Sequence, residues 1–240
     1  MTMLIPIRDH NPYKRFPLVT VVVIAINVFV FLSVGAGEEA VFHYGSVPCD
    51  VLGRCAQVSA QLADAFPDRR PLFSLVTSMF MHGDLFHLGG NMLYLWVFGN
   101  NVEDRLGRVG YIAFYLGTGL VAAFAHFLIG NTESIIPVVG ASGAVSGVLG
   151  AYVVLWPHAR VVSLVPLGFF FFTTEVPAWF LIGFWFVVQV VLGLGSLGYS
   201  GAGGGVAFFA HIGGFAAGWL VARLFVPKRR RRPPSDWASW

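Results

Sequence analysis

Charge is scarce in this chain. Of its 240 residues, 11% are Asp, Glu, Lys or Arg, against about 25% in a soluble domain. That excludes an ordinary water-soluble globule. It also excludes a disordered chain, which needs charge to stay solvated. Cysteine is scarcer still, with Cys49 and Cys55 the whole supply. Two thiols cannot build a disulfide framework or a four-thiolate metal site. Whether these two bridge or stay free is open from the sequence. What abounds is apolar: 56% of residues are hydrophobic and 15% aromatic, and the mean hydropathy is +0.72. The surroundings that suit this composition are a lipid bilayer, and no nucleic-acid partner is expected.

Six apolar stretches stand out, at residues 17–35, 85–101, 110–129, 140–156, 177–195 and 206–226. Each can cross roughly 30 Å of hydrocarbon at about 1.5 Å per residue. The fourth is among the shortest and the richest in glycine. A further apolar patch, Val161 to Phe172, is shorter and contains Pro166 and Gly168. It reads as interfacial or re-entrant, not as a seventh span. The expected fold is all-α: one domain over residues 1–240, a six-transmembrane-helix bundle with an outer loop at 36–84 and a basic tail at 227–240.

Orientation follows the placement of Lys and Arg. Arg8, Lys14, Arg15, Arg105, Arg108, Arg160, Arg223 and the run Lys228–Arg232 fall on one side of a six-span chain. Arg54, Arg69 and Arg70 fall on the other. Both termini are therefore expected to be cytoplasmic. A cleaved signal peptide over the first span is set aside, because the apolar run is long for one. The 36–84 segment is long for a passive connector and is expected to form a substructure at the membrane surface.

Polar groups inside a bilayer are costly, so each needs a partner or a task. Three places break the apolar pattern. At the entry to the second span, His87 and Asn91 are four apart and share one helix face. Asp84 suits the helix N-cap, with His82 just outside it. His87 and Asn91 could equally be interhelical packing groups. Opening the fourth span, Gly140-Ala141-Ser142-Gly143 leads to Ser146 and Gly147. Ser142 could be a helix cap, and Ser142, Ser146 and Gly150 form a small-residue stripe. In the sixth span, His211 lies on the face of Gly214 and Gly218, a G-x-x-x-G pair that permits close helix approach. A metal or haem role for His211 is not expected, since no H-E-x-x-H is present and no second ligand lies at helical spacing.

Together the three places make chemical sense. If the small face of span four meets the glycine face of span six, Ser142 and His211 come close. A serine hydroxyl becomes a nucleophile when a base such as imidazole takes its proton. Asn91, His87 and the backbone N–H groups opening span four would then stabilise the oxyanion. No third triad acid lies near by sequence, so a Ser–His dyad is expected, without cofactor or metal.

These residues resemble the rhomboid family of intramembrane serine proteases. The H-x-x-x-N of His87–Asn91, the G-x-S-G of Gly140–Gly143 and the A-H-x-x-G of Ala210–Gly214 occur in family order and spacing, over nearly the whole chain. The resemblance implies Ser142 as nucleophile, His211 as base, and His87 and Asn91 in the oxyanion hole. It also implies cleavage of other proteins' transmembrane segments. His82 is similar to the family's extra histidine, and Glu103–Gly107 to its E-x-R-L-G stretch. Two positions depart from the pattern. Ser146 stands where many members carry an aromatic under the histidine, and Phe73-Ser74 stands where many carry Trp-Arg.

Two rivals stay in view. A catalytically inactive rhomboid-like protein would bind membrane clients without cutting them, and a small transporter would use broken helices with polar ends. The family analogy suggests a prokaryotic plasma membrane with the site open to the outer side. The substrate and the oligomeric state are not legible.

Overall fold

The computed structural model describes residues 4–130, 132–167, 170–197 and 206–226. The run Lys228–Arg232 and most of the connection before the last helix lie outside the described residues. In chain order the elements are strand β1 (Ile5–Asp9), helices α1 (Leu18–Ser33), α2 (Glu38–Tyr44), α3 (Pro48–Val51), α4 (Ala56–Ala65), α5 (Pro71–Thr77), α6 (Leu85–Tyr94), α7 (Asn100–Leu106), α8 (Arg108–Ile129) and α9 (Ser142–Leu155), strands β2 (Arg160–Leu167) and β3 (Phe170–Pro177), and helices α10 (Ala178–Ser196) and α11 (Phe208–Phe225). A π-helical turn at Leu95–Gly99 joins α6 to α7 as one rod.

Each of the six apolar stretches is helical. Three helices, α8, α10 and α11, are long and apolar enough to cross a membrane by length and composition alone. Helix α9 has only 14 residues, a rise of about 21 Å. Every residue from Gly143 to Tyr152 is buried, so α9 is the centre of the bundle, enclosed by protein. Helix α11 is packed against it on one side and against α8 on another.

Helix ends are tied by side chains from elsewhere in the chain. The Asp84 carboxylate accepts from His87 N at 2.8 Å and caps α6, as the sequence predicts. Helix α1 begins at Pro17 with no side-chain cap of its own. Buried Glu103, at the end of the α6–α7 rod, accepts from Val19 N at 2.9 Å and from Thr20 N and Oγ1 at 2.8 Å. A carboxylate on two orphan N–H groups at the positive end of a helix dipole offsets the cost of its own burial. This is the structural work done by the E-x-R-L-G stretch.

The 36–84 segment forms a cap of short helices. Cys49 and Cys55 are joined in a disulfide, which settles the alternative left open by the sequence. The Arg69 side chain is buried and paired with buried Asp50. Its Nε donates to Phe42 O at 3.1 Å and its Nη2 to Gly45 O at 3.2 Å. One cation of the outer-side count is therefore an internal cross-tie. The cap is pinned to the connection between α8 and α9. Ser46 and Val138 exchange backbone bonds, Cys49 N reaches Ser134 O at 3.1 Å, and Gly140 N reaches Ser78 O at 2.9 Å.

At the opposite end the sequence expectation of an all-α fold needs correction. Strands β1, β2 and β3 form an antiparallel sheet in that order. Of the patch read as interfacial or re-entrant, residues 161–167 and 170–172 lie in strands β2 and β3. Its β-branched and aromatic residues suit strands. Pro166 sits where β2 has a neighbour on one side only, because β1 reaches no further than Leu164, so its missing N–H costs no ladder bond. The pairing of β1 with β2 puts the segment before α1 and the connection after α9 at the same end of the bundle.

Candidate active site

The close contact between α9 and α11 is glycine on glycine. A Cβ on Gly214 would strike the carbonyl of Gly143, and one on Gly218 the carbonyl of Gly147. A Cβ on Gly150 would strike Phe215 O. What α9 presents to α11 is thus Gly150 and the backbone of Gly143 and Gly147, whose missing side chains would point at Ala122 and Thr118 of α8; the sequence pointed to Ser142, Ser146 and Gly150. Gly143, next to Ser142, sits between α8 and α11: a Cβ there would lie 2.6 Å from Ala122 Cβ and 3.9 Å from Cβ of Ala210, next to His211.

Ser142 is the first residue of α9 and is partly exposed. The N-cap is Ala141, with no side-chain cap bond, so the capping role considered for Ser142 does not apply. The first intrahelical bond is Val145 N to Ala141 O, and the N–H groups of Ser142, Gly143 and Ala144 precede it. Ser146 is buried, and its Oγ donates back to Ser142 O at 2.6 Å. It braces the first turn from within α9.

Gly140 has φ +129, a conformation that favours glycine. A Cβ there would also lie 2.7 Å from Cε1 and Nε2 of His87. The bare backbone is what lets the His87 ring sit beside the start of α9. Asn91, one turn further along α6, is buried at 8% exposure, and its Nδ2 has no hydrogen-bond partner among the described residues. A buried, unsatisfied donor is rare and calls for an explanation. His82 is fully buried; its ring meets His87 edge to face at 5.0 Å, and its Nε2 lies 3.5 Å from Ala141 N. His82 and His87 therefore converge on the turn that carries Ser142.

His211 is buried in the first turn of α11. Its Nδ1 is 2.8 Å from Gln189 Oε1 on α10. The Trp185 ring, one turn earlier on α10, lies 5.8 Å from the imidazole. Neither residue was flagged by the three motifs. Gln189 did leave a trace in the sequence, as an amide inside an otherwise apolar helix, where a polar side chain requires a partner. Phe73 is exposed on α5, while Ser74 is buried and donates to Pro71 O at 2.6 Å. Among the described residues no group of three or more His, Cys, Asp or Glu is arranged to hold a metal ion.

The chain is similar to Rhomboid protein 1, mitochondrial, of Saccharomyces cerevisiae, with 29% identity covering 66% of this chain and 44% of that protein. It is similar to the presenilin-associated rhomboid-like protein, mitochondrial, of Bos taurus, with 34% identity over 41% of this chain and 26% of that protein. A third relative is Rhomboid-like protein 11, chloroplastic, of Arabidopsis thaliana, with 29% identity over 63% of this chain and 53% of that protein. The chain thus spans between about a quarter and a half of the length of these relatives. Their mitochondrial and chloroplastic names overturn the expectation of a prokaryotic plasma membrane, since they point to an organellar one. The Rhomboid domain matches residues 69–228, a stretch that takes in α6, α9 and α11. The chain belongs to the rhomboid family.

Proposed function

We propose that this chain is an intramembrane serine endopeptidase that cuts transmembrane segments of other membrane proteins. Ser142 is the nucleophile, His211 the base, and Asn91 and His87 the oxyanion donors. The observation that carries this reading is the glycine-on-glycine contact of α9 with α11, which sets the turn of Ser142 against the turn of His211. In the reaction, Ser142 Oγ attacks the scissile carbonyl and its proton passes to the imidazole. The tetrahedral oxyanion is met by Asn91 Nδ2, the His87 ring N–H and the free N–H groups opening α9, where the helix dipole adds its positive end. The imidazolium then gives its proton to the leaving amine. Water, activated by the same base, hydrolyses the acyl ester and restores Ser142.

The chain crosses an organellar membrane six times, as one domain with both termini on one side. The shared end of the segment before α1 and the α9–α10 connection supports that topology. Bonds between the 36–84 cap and the α8–α9 connection support it from the opposite end. The test is labelling of the purified protein by a fluorophosphonate, together with cleavage of single-span model substrates in liposomes. Labelling and cleavage should both vanish in Ser142→Ala, and cleavage in His211→Ala. Cleavage that persists in Ser142→Ala sinks the serine mechanism, and an unlabelled, inactive wild type favours a client-binding protein.

A further inference from the structure

Resting on the protease reading above, we infer that α10 holds the catalytic base, with Gln189 and Trp185 as positioning residues. The work is done in two parts. Gln189 fixes the ring's tautomer and Trp185 fixes its plane.

The tautomer follows from the hydrogen bond. Gln189 Oε1 is an acceptor, so the 2.8 Å contact requires the proton on His211 Nδ1. A neutral imidazole carries one ring proton, which leaves the lone pair on Nε2. Nε2 is then the atom that takes the Ser142 proton and later hands it to the leaving amine. The opposite tautomer would present an N–H to the serine and could not act as base. Both partners are buried, Gln189 and His211 each at 8% exposure, so water does not compete for the bond.

An amide suits this place better than the carboxylate of a soluble triad. A carboxylate within an apolar helix would carry a desolvation cost that falls on the stability of the fold and leaves the acceptor bond in place. A glutamine supplies the same acceptor without a charge. What it gives up is the attraction of a full negative charge for the imidazolium.

Trp185 and Gln189 are four apart and so share one face of α10. The indole lies 5.8 Å from the imidazole at an interplanar angle of 37°, and it also contacts Phe215 on α11 at 6.5 Å. At residue 146, where an aromatic could have lain under the histidine from α9, a serine hydroxyl is turned back onto Ser142 O. An aromatic therefore flanks the ring from α10, and among the described residues no ring contact to it comes from α9. The three groups make one arrangement: a small residue at 146, and an aromatic and an amide one turn apart on α10.

Two measurements on the full chain in lipid decide this. The first is the 15N spectrum of histidine-labelled protein, with His211 assigned by the signal lost in His211→Ala. Wild type and Gln189→Glu should show the proton on Nδ1, and Gln189→Leu should lose that fixed tautomer. The second is turnover of a single-span model substrate. Gln189→Leu should lower kcat about tenfold with KM unchanged, the loss expected for an ordinary buried hydrogen bond. Gln189→Glu, which restores the acceptor, should stay within about threefold of wild type. Should Gln189→Leu melt early, Gln189→Met replaces it and the same outcomes decide. A proton on Nε2 in the wild type overturns the inference. So does equal loss in the Leu and Glu variants, which would mean packing alone. A wild type with the Nδ1 proton that cleaves no substrate keeps the positioning role and sinks the protease reading instead.

Discussion

At the scale of single residues, the candidate site is readable where a polar group interrupts an apolar run. Ser142, His211, His87 and Asn91 stand out because lipid makes each of them costly. Gln189 obeys the same logic but belongs to no local motif, and its partner lies on another helix; only the packing of α10 on α11 joins the two. The unpaired Nδ2 of Asn91 leads to a prediction. On the protease reading proposed above, Asn91→Ala should lower kcat by about 10²–10³-fold, the usual effect of removing one oxyanion donor. KM should barely move, because the oxyanion exists only in the transition state. A loss confined to KM would make Asn91 a substrate-positioning group.

At the scale of elements, helix positions were legible because 3.6-residue packing and bilayer thickness both act locally. The facing stripe was legible only to within one residue, since Ser146 and Gly147 are both small and nothing local says which one meets α11. The carbonyls beneath Gly214 and Gly218 settle it. Gly214→Val should abolish cleavage and also lower the melting temperature in detergent, because its side chain has only the Gly143 carbonyl to occupy. A displacement of about 1 Å at the site can cost about 10²-fold in rate. Ser142→Ala, by contrast, should melt like wild type. If Gly214→Val melts and cleaves normally, α11 does not pack on α9 as described. The cap behaves as a second unit of this kind. Arg69→Met strands the buried Asp50 carboxylate, and breaking such a pair costs about 3–5 kcal/mol. The double variant Arg69→Met/Asp50→Leu should regain much of the lost melting temperature, and failure to do so would mean that the backbone bonds of Arg69 matter more than its charge.

At the scale of the whole molecule, the sheet was the illegible part. Strand β1 has five residues, and its partner lies beyond α9; no local period announces such a pairing. Asp9 fastens it, accepting from the Tyr152 hydroxyl and from Asn101 Nδ2 at 2.9 Å. Burial raises the Asp9 carboxyl above its ordinary 3.8, with the Tyr152 bond and His10 opposing part of the rise. The folded state therefore holds this proton more tightly than the unfolded one. That contribution to stability is full below pH about 3.8 and is lost as the pH rises through the folded value. Asp9→Asn keeps a carbonyl acceptor without the charge. The melting temperature of wild type relative to Asp9→Asn should thus fall as the pH rises from about 3.8 through the raised folded value. A constant difference would mean that the carboxylate is well solvated.

The same pairing sets an order of events during synthesis. Ile5 cannot meet Leu164 until everything between them, α9 included, has left the ribosome and been inserted. The earlier-made strand must wait, unpaired, while the helices enter the bilayer one after another. Closure of the sheet is then a late step that reports on insertion of the central helix. A chain that stalls before α9 keeps an open strand edge, which marks it for chaperones and proteases as unfinished.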